Sequence, residues 1–339
     1  MDERRPTIAD VARRAGVSKG LVSFVVNDRP GVAPQTRERV RAAVDELGWR
    51  PRPAARSLTT RRAFALGLVL RREPQVLSTD PFFPAFIAGV ETVLAEMGQV
   101  LVLSLVPDEE AELRTYRTLA LDARVDGVFL TDLRCHDARF DLLAELGLPA
   151  VAIGHPGTVR PCPVVGLDDS AGVVASVAHL LELGHHRIGY VAGDPDMVHG
   201  RRRRDSAVTA LATARRAADL VVETDFSAAQ AAVATGVLLD RSDPPTAIVY
   251  ASDLMAIAGM AVLYERGLRV PEDVSVVGFD GSELGRHVFP RLTTVVADPL
   301  AWGIAAARTL LRLVGDGSAD DLELAPAGLL VRESTGAPP

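Results

Sequence analysis

The sequence predicts an all-α helix-turn-helix head followed by an α/β body with doubly wound sheets. The first observation is charge: residues 1–62 contain 14 Lys and Arg but only 7 Asp and Glu, whereas the whole chain has a net charge of −7. The second is a set of short amphipathic helical patterns within that basic segment. The third is the alternation of strand-length apolar runs with helical patterns after residue 64, which is typical of an α/β architecture. A basic head on an acidic body indicates that only the head meets a polyanion.

Three helices are predicted in the head. Thr7 supplies the capping hydroxyl of the first helix. Gly16 ends it, because glycine adopts the left-handed conformation at low cost. Ser18 caps a second helix over residues 18–27, and a third helix follows over residues 34–47. The tight turn between the first two helices is the one expected of a helix-turn-helix.

The head also carries a long series of residues in a fixed order and spacing. The series comprises Thr7-Ile8-Ala9-Asp10-Val11-Ala12, Ala15-Gly16-Val17-Ser18, Val25-Val26-Asn27, Thr36-Arg37-Glu38-Arg39-Val40, Leu47-Gly48-Trp49 and Ala54-Ala55-Arg56-Ser57-Leu58. In this series the chain resembles the lactose/galactose-repressor (LacI/GalR) family. The resemblance implies a transcription regulator, most often a repressor, that binds double-stranded DNA at a palindromic operator. Because a palindrome takes two heads, it also implies a homodimer.

The resemblance implies roles for individual residues of the head. The second helix is implied to read the major groove, with Lys19, Gly20 and Phe24 at base-reading positions. The family commonly has Thr and Arg where this chain has Leu21 and Phe24, so the operator sequence stays open. Phosphate contacts are implied for Ser23, Thr36 and Arg37. The predicted DNA-binding residues are Thr7, Ser18, Lys19, Gly20, Leu21, Ser23, Phe24, Asn27, Thr36, Arg37, Ala55 and Leu58.

Residues 50–62 connect the head to the body as a basic linker with at most one helical turn, which by itself is marginal in water. The resemblance implies a hinge helix that forms on DNA and wedges Leu58 into the minor groove, where an apolar side chain unstacks a base step and bends the duplex. A plain flexible linker is the alternative. The predicted domains are therefore the DNA-binding head at 1–49, the hinge at 50–62 and the effector-binding and dimerisation body at 63–339.

The body contains eight apolar runs that predict buried parallel strands. They cover residues 65–70, 100–106, 125–130, 150–153, 164–167, 187–192, 247–250 and 274–279. Segments with helical periodicity, such as residues 86–97 and 254–266, lie between them. More than one sheet is needed for this many strands, and ligands of such folds settle at the carboxyl ends of the strands.

Further strings of the body extend the resemblance to nearly the whole chain. They are Asp80-Pro81-Phe82-Phe83, Gly184-His185-His186-Arg187-Ile188, Ser252-Asp253, Val274 to Asp280 and Val331-Arg332-Glu333-Ser334-Thr335. They imply a two-lobed, periplasmic-binding-protein-like sensor with three crossovers. The implied limits are about 63–161 and 292–322 for the N-lobe, and about 162–291 and 323–339 for the C-lobe.

Candidate effector-binding residues lie at strand ends or on the loops that follow. Arg203 and Asp280 match the family's effector arginine and carboxylate, and both types hydrogen-bond vicinal hydroxyls. Aromatic rings can stack on a sugar-like face. A small polar effector, a sugar or sugar-like metabolite, is therefore expected, although each residue has a surface ion pair or a core aromatic as its alternative. The predicted set is Phe82, Phe83, Asp132, Arg203, Phe226, Asp253 and Asp280.

Other classes of protein fit poorly. The sequence lacks G-x-S-x-G, H-E-x-x-H, G-x-G-x-x-G and Walker motifs, so we expect no enzyme, metal or cofactor. No apolar run approaches a membrane helix and no apolar leader opens the chain, so we expect a cytoplasmic protein without membrane contact. His185-His186 is interpreted as a turn before a strand. Two alternatives remain: a transport-binding protein, disfavoured by the basic head, and a sensor whose head serves only as a protein-interaction module.

Overall fold

The computed structural model describes residues 6–26, 29–49, 62–72, 80–156 and 162–339. The chain divides into two compact units, Met1–Ala63 and Phe64–Pro339. This division lies one residue from the boundary predicted between the hinge and the body. Three predicted DNA-contacting residues lie outside the described residues, namely Asn27, Ala55 and Leu58.

The described residues of the first unit form a head of three helices. Its helices are α1 (Ile8–Ala15), α2 (Lys19–Val26) and α3 (Pro34–Glu46). Gly16 follows α1 with a φ of 65°, in the left-handed region that favours glycine. The Ser18 hydroxyl accepts a hydrogen bond from the Leu21 amide, which caps α2. A small core of fully or nearly fully buried side chains holds the helices together: Val11, Ala12, Ala15, Val22, Val25, Val40, Ala43 and Trp49.

The N-lobe of the second unit is built on an all-parallel sheet with the strand order β11-β5-β4-β3-β1-β2. Its strands are β1 (Ala65–Arg71), β2 (Val100–Val106), β3 (Gly127–Leu130), β4 (Ala150–Ile153), β5 (Val164–Gly166) and β11 (Leu322–Glu323). Its helices are α4 (Phe82–Glu96), α5 (Glu109–Leu121), α6 (Arg139–Leu146) and α11 (Pro299–Asp316).

The C-lobe repeats this plan with the order β12-β10-β9-β8-β6-β7, in which only β12 runs antiparallel to its neighbour. Its strands are β6 (Ile188–Ala192), β7 (Val221–Glu223), β8 (Ala247–Tyr250), β9 (Ser275–Asp280), β10 (Thr293–Val296) and β12 (Gly328–Leu330). Its helices are α7 (Ser170–Glu182), α8 (Val198–Thr213), α9 (Ala228–Leu239), α10 (Asp253–Glu265) and the short 3-10 helix Glu283–Arg286.

The predicted two lobes and three crossovers are confirmed, but the limits within the body were wrong. β5 pairs with β4 and therefore belongs to the N-lobe, although residues 162–167 were assigned to the C-lobe. β10 pairs with β9 and belongs to the C-lobe, although residues 292–297 were assigned to the N-lobe. The third crossover also comes slightly later than predicted, because Glu323 still pairs in the N-lobe sheet. In each case a strand completes its own sheet before the chain crosses.

One predicted strand differs in its surroundings. The run over residues 100–106 was expected to be buried, but β2 is the last strand of the N-lobe sheet. Val100, Leu103 and Leu105 are therefore 58%, 44% and 45% exposed. This apolar sheet edge is available for pairing with another surface.

Candidate effector site and DNA-binding head

A cavity lies between the two lobes of the second unit, at the carboxyl ends of their parallel strands. It encloses about 980 Å³ between atoms, its open mouth included. Charged side chains from both lobes and a group of aromatic rings line it.

The N-lobe contributes an Arg–Asp pair. Arg72 follows β1 and Asp132 follows β3, so the carboxyl ends of two neighbouring strands bring them together. The guanidinium donates two hydrogen bonds of 2.8 Å, from Nε to Oδ2 and from Nη2 to Oδ1. Burial alone would raise the pKa of Asp132, but the charge and hydrogen bonds of Arg72 outweigh burial and hold that pKa at about 2. Both groups are therefore charged at neutral pH.

The C-lobe contributes a second pair. Arg203 of α8 donates from Nε to the Oδ2 of Asp169 at 3.0 Å and from Nη1 to the carbonyl of Ala251 at 3.1 Å. Its guanidinium carbon lies 3.6 Å from the centre of the Phe279 ring, a cation–π contact that fixes the plane of the group. Arg203 is thus positioned before any ligand arrives.

Two further carboxylates face the cavity without such a close cation. Asp280 ends β9 with a φ of 117°, a strained conformation for a residue with a side chain. Burial and the neighbouring charge of Asp253 raise the pKa of Asp280 well above its usual value, against the pull of Arg203. Burial also raises the pKa of Asp80, which Arg72 opposes. These carboxyl groups are the acceptors left for a ligand.

Aromatic rings complete the walls. Phe82 at the start of α4 meets Phe83 and Trp302 edge-on, with ring centres 5.2 and 5.8 Å apart. On the C-lobe side, Phe226 lies 5.1 Å from the imidazole of His199. A side chain at Gly193 would collide with the Phe226 ring, so glycine at that position allows the ring to reach the cavity.

The structure brings six of the seven predicted effector residues to the cavity; Asp253 is not among its lining residues. Asp253 is fully buried at the start of α10. Its carboxylate accepts a 2.6 Å hydrogen bond from the Ser282 amide and another from the Thr294 hydroxyl. It therefore braces the loop that follows Asp280 at the end of β9 and does not line the cavity.

The cavity residues that the sequence did not reveal include Arg72, Asp80, Asp169, His199 and Trp302. Three of them gave a signal, since Arg72 and Asp169 follow predicted strands and Asp80 opens the Asp80-Pro81-Phe82-Phe83 string. His199 precedes Arg203 by four residues, so both project from one face of the helix. Nothing in the sequence pointed to Trp302, because only the tertiary structure brings α11 beside α4.

In the head, the predicted base-reading side of α2 is the exposed side. Ser18, Lys19, Gly20 and Phe24 are exposed, whereas Leu21 and Ser23 are partly buried. The guanidinium of Arg29 lies 5.4 Å from the centre of the Phe24 ring. Thr7 is bound to Asp10, with its hydroxyl donating at 2.6 Å, and Thr36 and Arg37 lie in the first turn of α3. An apolar core under α2 thus leaves its polar side accessible.

Two kinds of feature are absent from the described part of the chain. No group of three or more His, Cys, Asp or Glu side chains there is arranged to hold a metal ion. No helix there is long and apolar enough to cross a membrane.

Comparison with known proteins decides the family. Residues 7–52 match the model of bacterial regulatory proteins of the lacI family, and residues 177–335 match the periplasmic binding protein-like domain. The HTH-type transcriptional regulator CelR of Thermobifida fusca is 38% identical over 98% of both chains. This chain belongs to the lacI family. It is accordingly a DNA-binding transcription regulator with a ligand-sensing body, as the resemblance predicted.

Two solved structures of lacI-family proteins are similar over almost the whole chain. A complex of the regulator CelR with cellobiose has a TM-score of 0.75 at 36% identity, covering 97% of this chain and 100% of that one. A lac repressor dimer bound to operator and the anti-inducer ONPF has a TM-score of 0.85 at 30% identity, covering 98% of this chain and 100% of that one. The similarity extends through head and sensor alike.

Proposed function

We propose that this regulator is a repressor controlled by a neutral disaccharide or short oligosaccharide bound between its lobes. The observation that carries the proposal is the presence of two Arg–Asp pairs in a cavity that also has aromatic walls. We call Arg72–Asp132 the N-lobe pole and Arg203–Asp169 the C-lobe pole. Each pole offers donors and acceptors suited to vicinal hydroxyls. A ligand that reaches both lobes needs polar groups at both ends, which a molecule of two or more sugar rings has.

The charges favour an uncharged ligand. Arg72 and Arg203 already have carboxylate partners, so an anionic ligand would compete with them and would also meet Asp80 and Asp280. A cationic ligand would meet both guanidinium groups. Hydroxyl groups can donate to Asp280 without adding charge. The similarity to the CelR–cellobiose complex supports the same ligand class.

We further propose that the protein acts in the cytoplasm as a homodimer on a palindromic operator and without catalysis. Exposed apolar side chains on the second unit support dimerisation, since such patches mark interaction sites. They include the β2 edge on the N-lobe, and Tyr264 and Phe289 on the C-lobe, which are 83% and 94% exposed. The lac repressor dimer on its operator is the matching assembly among the similar structures.

Control by the ligand follows from the two-lobed cavity. A sugar that contacts both poles binds most tightly at one separation of the lobes, and it shifts the equilibrium by that difference in affinity. The same shift changes how two paired heads meet their half-sites. The DNA-binding residues proposed for this step are those predicted for the head and hinge.

The test uses Arg203→Met with the matched control Arg204→Met, whose side chain instead pairs with Asp205 and Glu223. We expect Arg203→Met to bind cellobiose at least 100-fold more weakly in calorimetry and to lose the effect of sugar on operator binding. Operator binding without sugar should be unchanged. If a panel of di- and oligosaccharides leaves the wild-type melting temperature unchanged while nucleosides raise it, the sugar proposal is wrong.

A further inference from the structure

His199 is a cavity residue that the matched motifs do not explain. It lies in the first turn of α8, one turn before Arg203, and lines the space between the lobes. Its ring packs against Phe226 at 5.1 Å with a tilt of 30°, so the plane of the imidazole is fixed. Within the described parts of the chain, neither ring nitrogen has a hydrogen-bond partner. The other cavity histidine, His155, instead bonds Glu323.

The groups around His199 come from both lobes. Arg203 and Asp169 face it from the C-lobe, and Asp132 and Arg72 face it from the N-lobe. The imidazole therefore lies between the two poles. Burial and the charge of Arg203 lower the pKa of His199 to about 4, although both carboxylates oppose this shift. At neutral pH the ring is uncharged, with one nitrogen that donates and one that accepts.

His199 lies beside a direct contact between the lobes. The amide of Val198, the residue before His199, donates to the carbonyl of Leu133 at 2.8 Å, and the Cys135 amide donates to the Asp196 carbonyl at 3.0 Å. These bonds flank an antiparallel bridge between Arg134 and Met197. A loop of the N-lobe thus bonds directly to the start of α8, next to His199.

We propose that His199 is an effector-binding residue that hydrogen-bonds the sugar between the Arg72–Asp132 and Arg203–Asp169 pairs. An unpartnered donor and acceptor in a partly buried site has a free-energy cost that a bound hydroxyl removes. Because the ring is neutral, it can serve a sugar hydroxyl as donor or acceptor without disturbing either ion pair. Because the start of α8 is bonded to a loop of the N-lobe, the contact lies where the two lobes meet. This proposal rests on the proposed sugar response and makes His199 a determinant of sugar specificity.

The test measures calorimetric affinity for cellobiose and lactose with three variants at pH 8. His199→Phe keeps the ring beside Phe226 but removes both nitrogens, and we expect at least tenfold weaker binding. His199→Gln and His199→Asn restore an amide near one ring nitrogen each, and one of them should recover binding to within about threefold. The ratio of the two sugar affinities should change in His199→Phe. His186→Phe, at an exposed histidine outside the cavity, is the control and should bind like wild type.

The outcomes separate the two proposals. Unchanged sugar affinity in His199→Phe, with binding lost in Arg203→Met, would overturn the role of His199 and leave the sugar response standing. Absence of binding to wild type by every sugar tested would overturn the sugar response and the His199 contact together. Operator binding without sugar, measured for each variant, reports folding. If His199→Phe does not bind the operator, the Gln and Asn variants decide instead. Sugar binding at least tenfold weaker than wild type in both of them would also overturn the proposal.

Discussion

The two Arg–Asp pairs of the effector cavity hold their guanidinium groups in different ways. Arg203 has three supports: the carboxylate of Asp169, the carbonyl of Ala251 and the face of Phe279. Arg72 instead makes both of its short hydrogen bonds to one carboxylate, that of Asp132. Its other contacts are longer, 4.0 Å to the Met197 sulfur and 5.7 Å to the centre of the Phe83 ring. The C-lobe pole is therefore held by several close contacts, whereas the N-lobe pole depends mainly on the pair itself. A ligand therefore contacts a firmly held guanidinium on the C-lobe side and an ion pair whose members hold each other on the N-lobe side.

The largest expected effect tests this difference directly. Asp132→Asn leaves Arg72 buried without its hydrogen-bonded carboxylate, and we expect the free energy of unfolding to fall by about 3 kcal/mol. Asp169→Asn should lower it by only about 1 kcal/mol, roughly one hydrogen bond, because Arg203 keeps its other supports. Urea denaturation of both variants without ligand, followed by circular dichroism, measures the two values.

The matched control is Asp122→Asn, whose carboxylate pairs with Arg124 on the surface. An exposed pair of this kind contributes about 0–1 kcal/mol, so the control should unfold close to wild type. Equal losses in Asp132→Asn and Asp169→Asn would show that Ala251 and Phe279 add nothing to the anchoring of Arg203. The contrast between the poles would then be one of geometry alone.

Each side of the site could be predicted from the sequence only in part. Arg203, Phe226 and Asp280 were found through matched motifs. Arg72 was missed because its role depends on Asp132, a partner 60 positions away that only sheet pairing brings near. Asp253 shows the converse, since a residue beside a strand end was expected at the ligand but bonds Ser282 and Thr294 instead.

The fold itself was more accessible than the site. Three strands, β2, β4 and β8, begin and end at the predicted residues, because each is an apolar run of four to seven residues bounded by polar or turn residues. The strands β7, β11 and β12 span only two or three residues and carry no period that a pattern could show. Which sheet β5 and β10 join is decided by pairing, so the lobe limits were misplaced by a few residues.

A smaller effect is expected from pH, acting on the histidine between the poles. The pKa of His199 is about 4 in the folded chain and about 6.5 when unfolded, so the unfolded state binds the proton first. The contribution of the neutral imidazole to the free energy of unfolding is complete above pH 6.5 and is lost as the pH falls toward 4. Between pH 7 and pH 5, wild type should lose roughly 1–2 kcal/mol more unfolding free energy than His199→Gln.

Urea denaturation at pH 7, 6 and 5 gives this difference. Asp80 and Asp280, whose pKa values are raised, change stability in the opposite sense, but they do so in both proteins and largely cancel. His185, also with a lowered pKa through burial, is common to both as well. Parallel pH profiles for wild type and His199→Gln would mean that the imidazole between the poles reaches bulk water freely.

The smallest effect concerns the neighbour of the C-lobe pole. The run of four arginines at residues 201–204 offers several candidates for the effector arginine, and the anchoring of Arg203 singles it out. Arg202 approaches Asp168 and Asp169 only at 3.5 Å, and its side chain is 30% exposed against 12% for Arg203. Such a pair contributes less than about 1 kcal/mol. Arg202→Met should therefore weaken cellobiose binding less than about fivefold, the factor that corresponds to that energy.

Calorimetry on Arg202→Met beside Arg203→Met decides between the two arginines. Because Arg202 shares Asp169 with Arg203, removal of its charge leaves that carboxylate wholly to Arg203 and should not loosen the pole. A loss in Arg202→Met as large as that in Arg203→Met would instead mean that the sugar is held by the exposed guanidinium. The supports on Ala251 and Phe279 would then serve the packing of α8 against the C-lobe sheet rather than recognition.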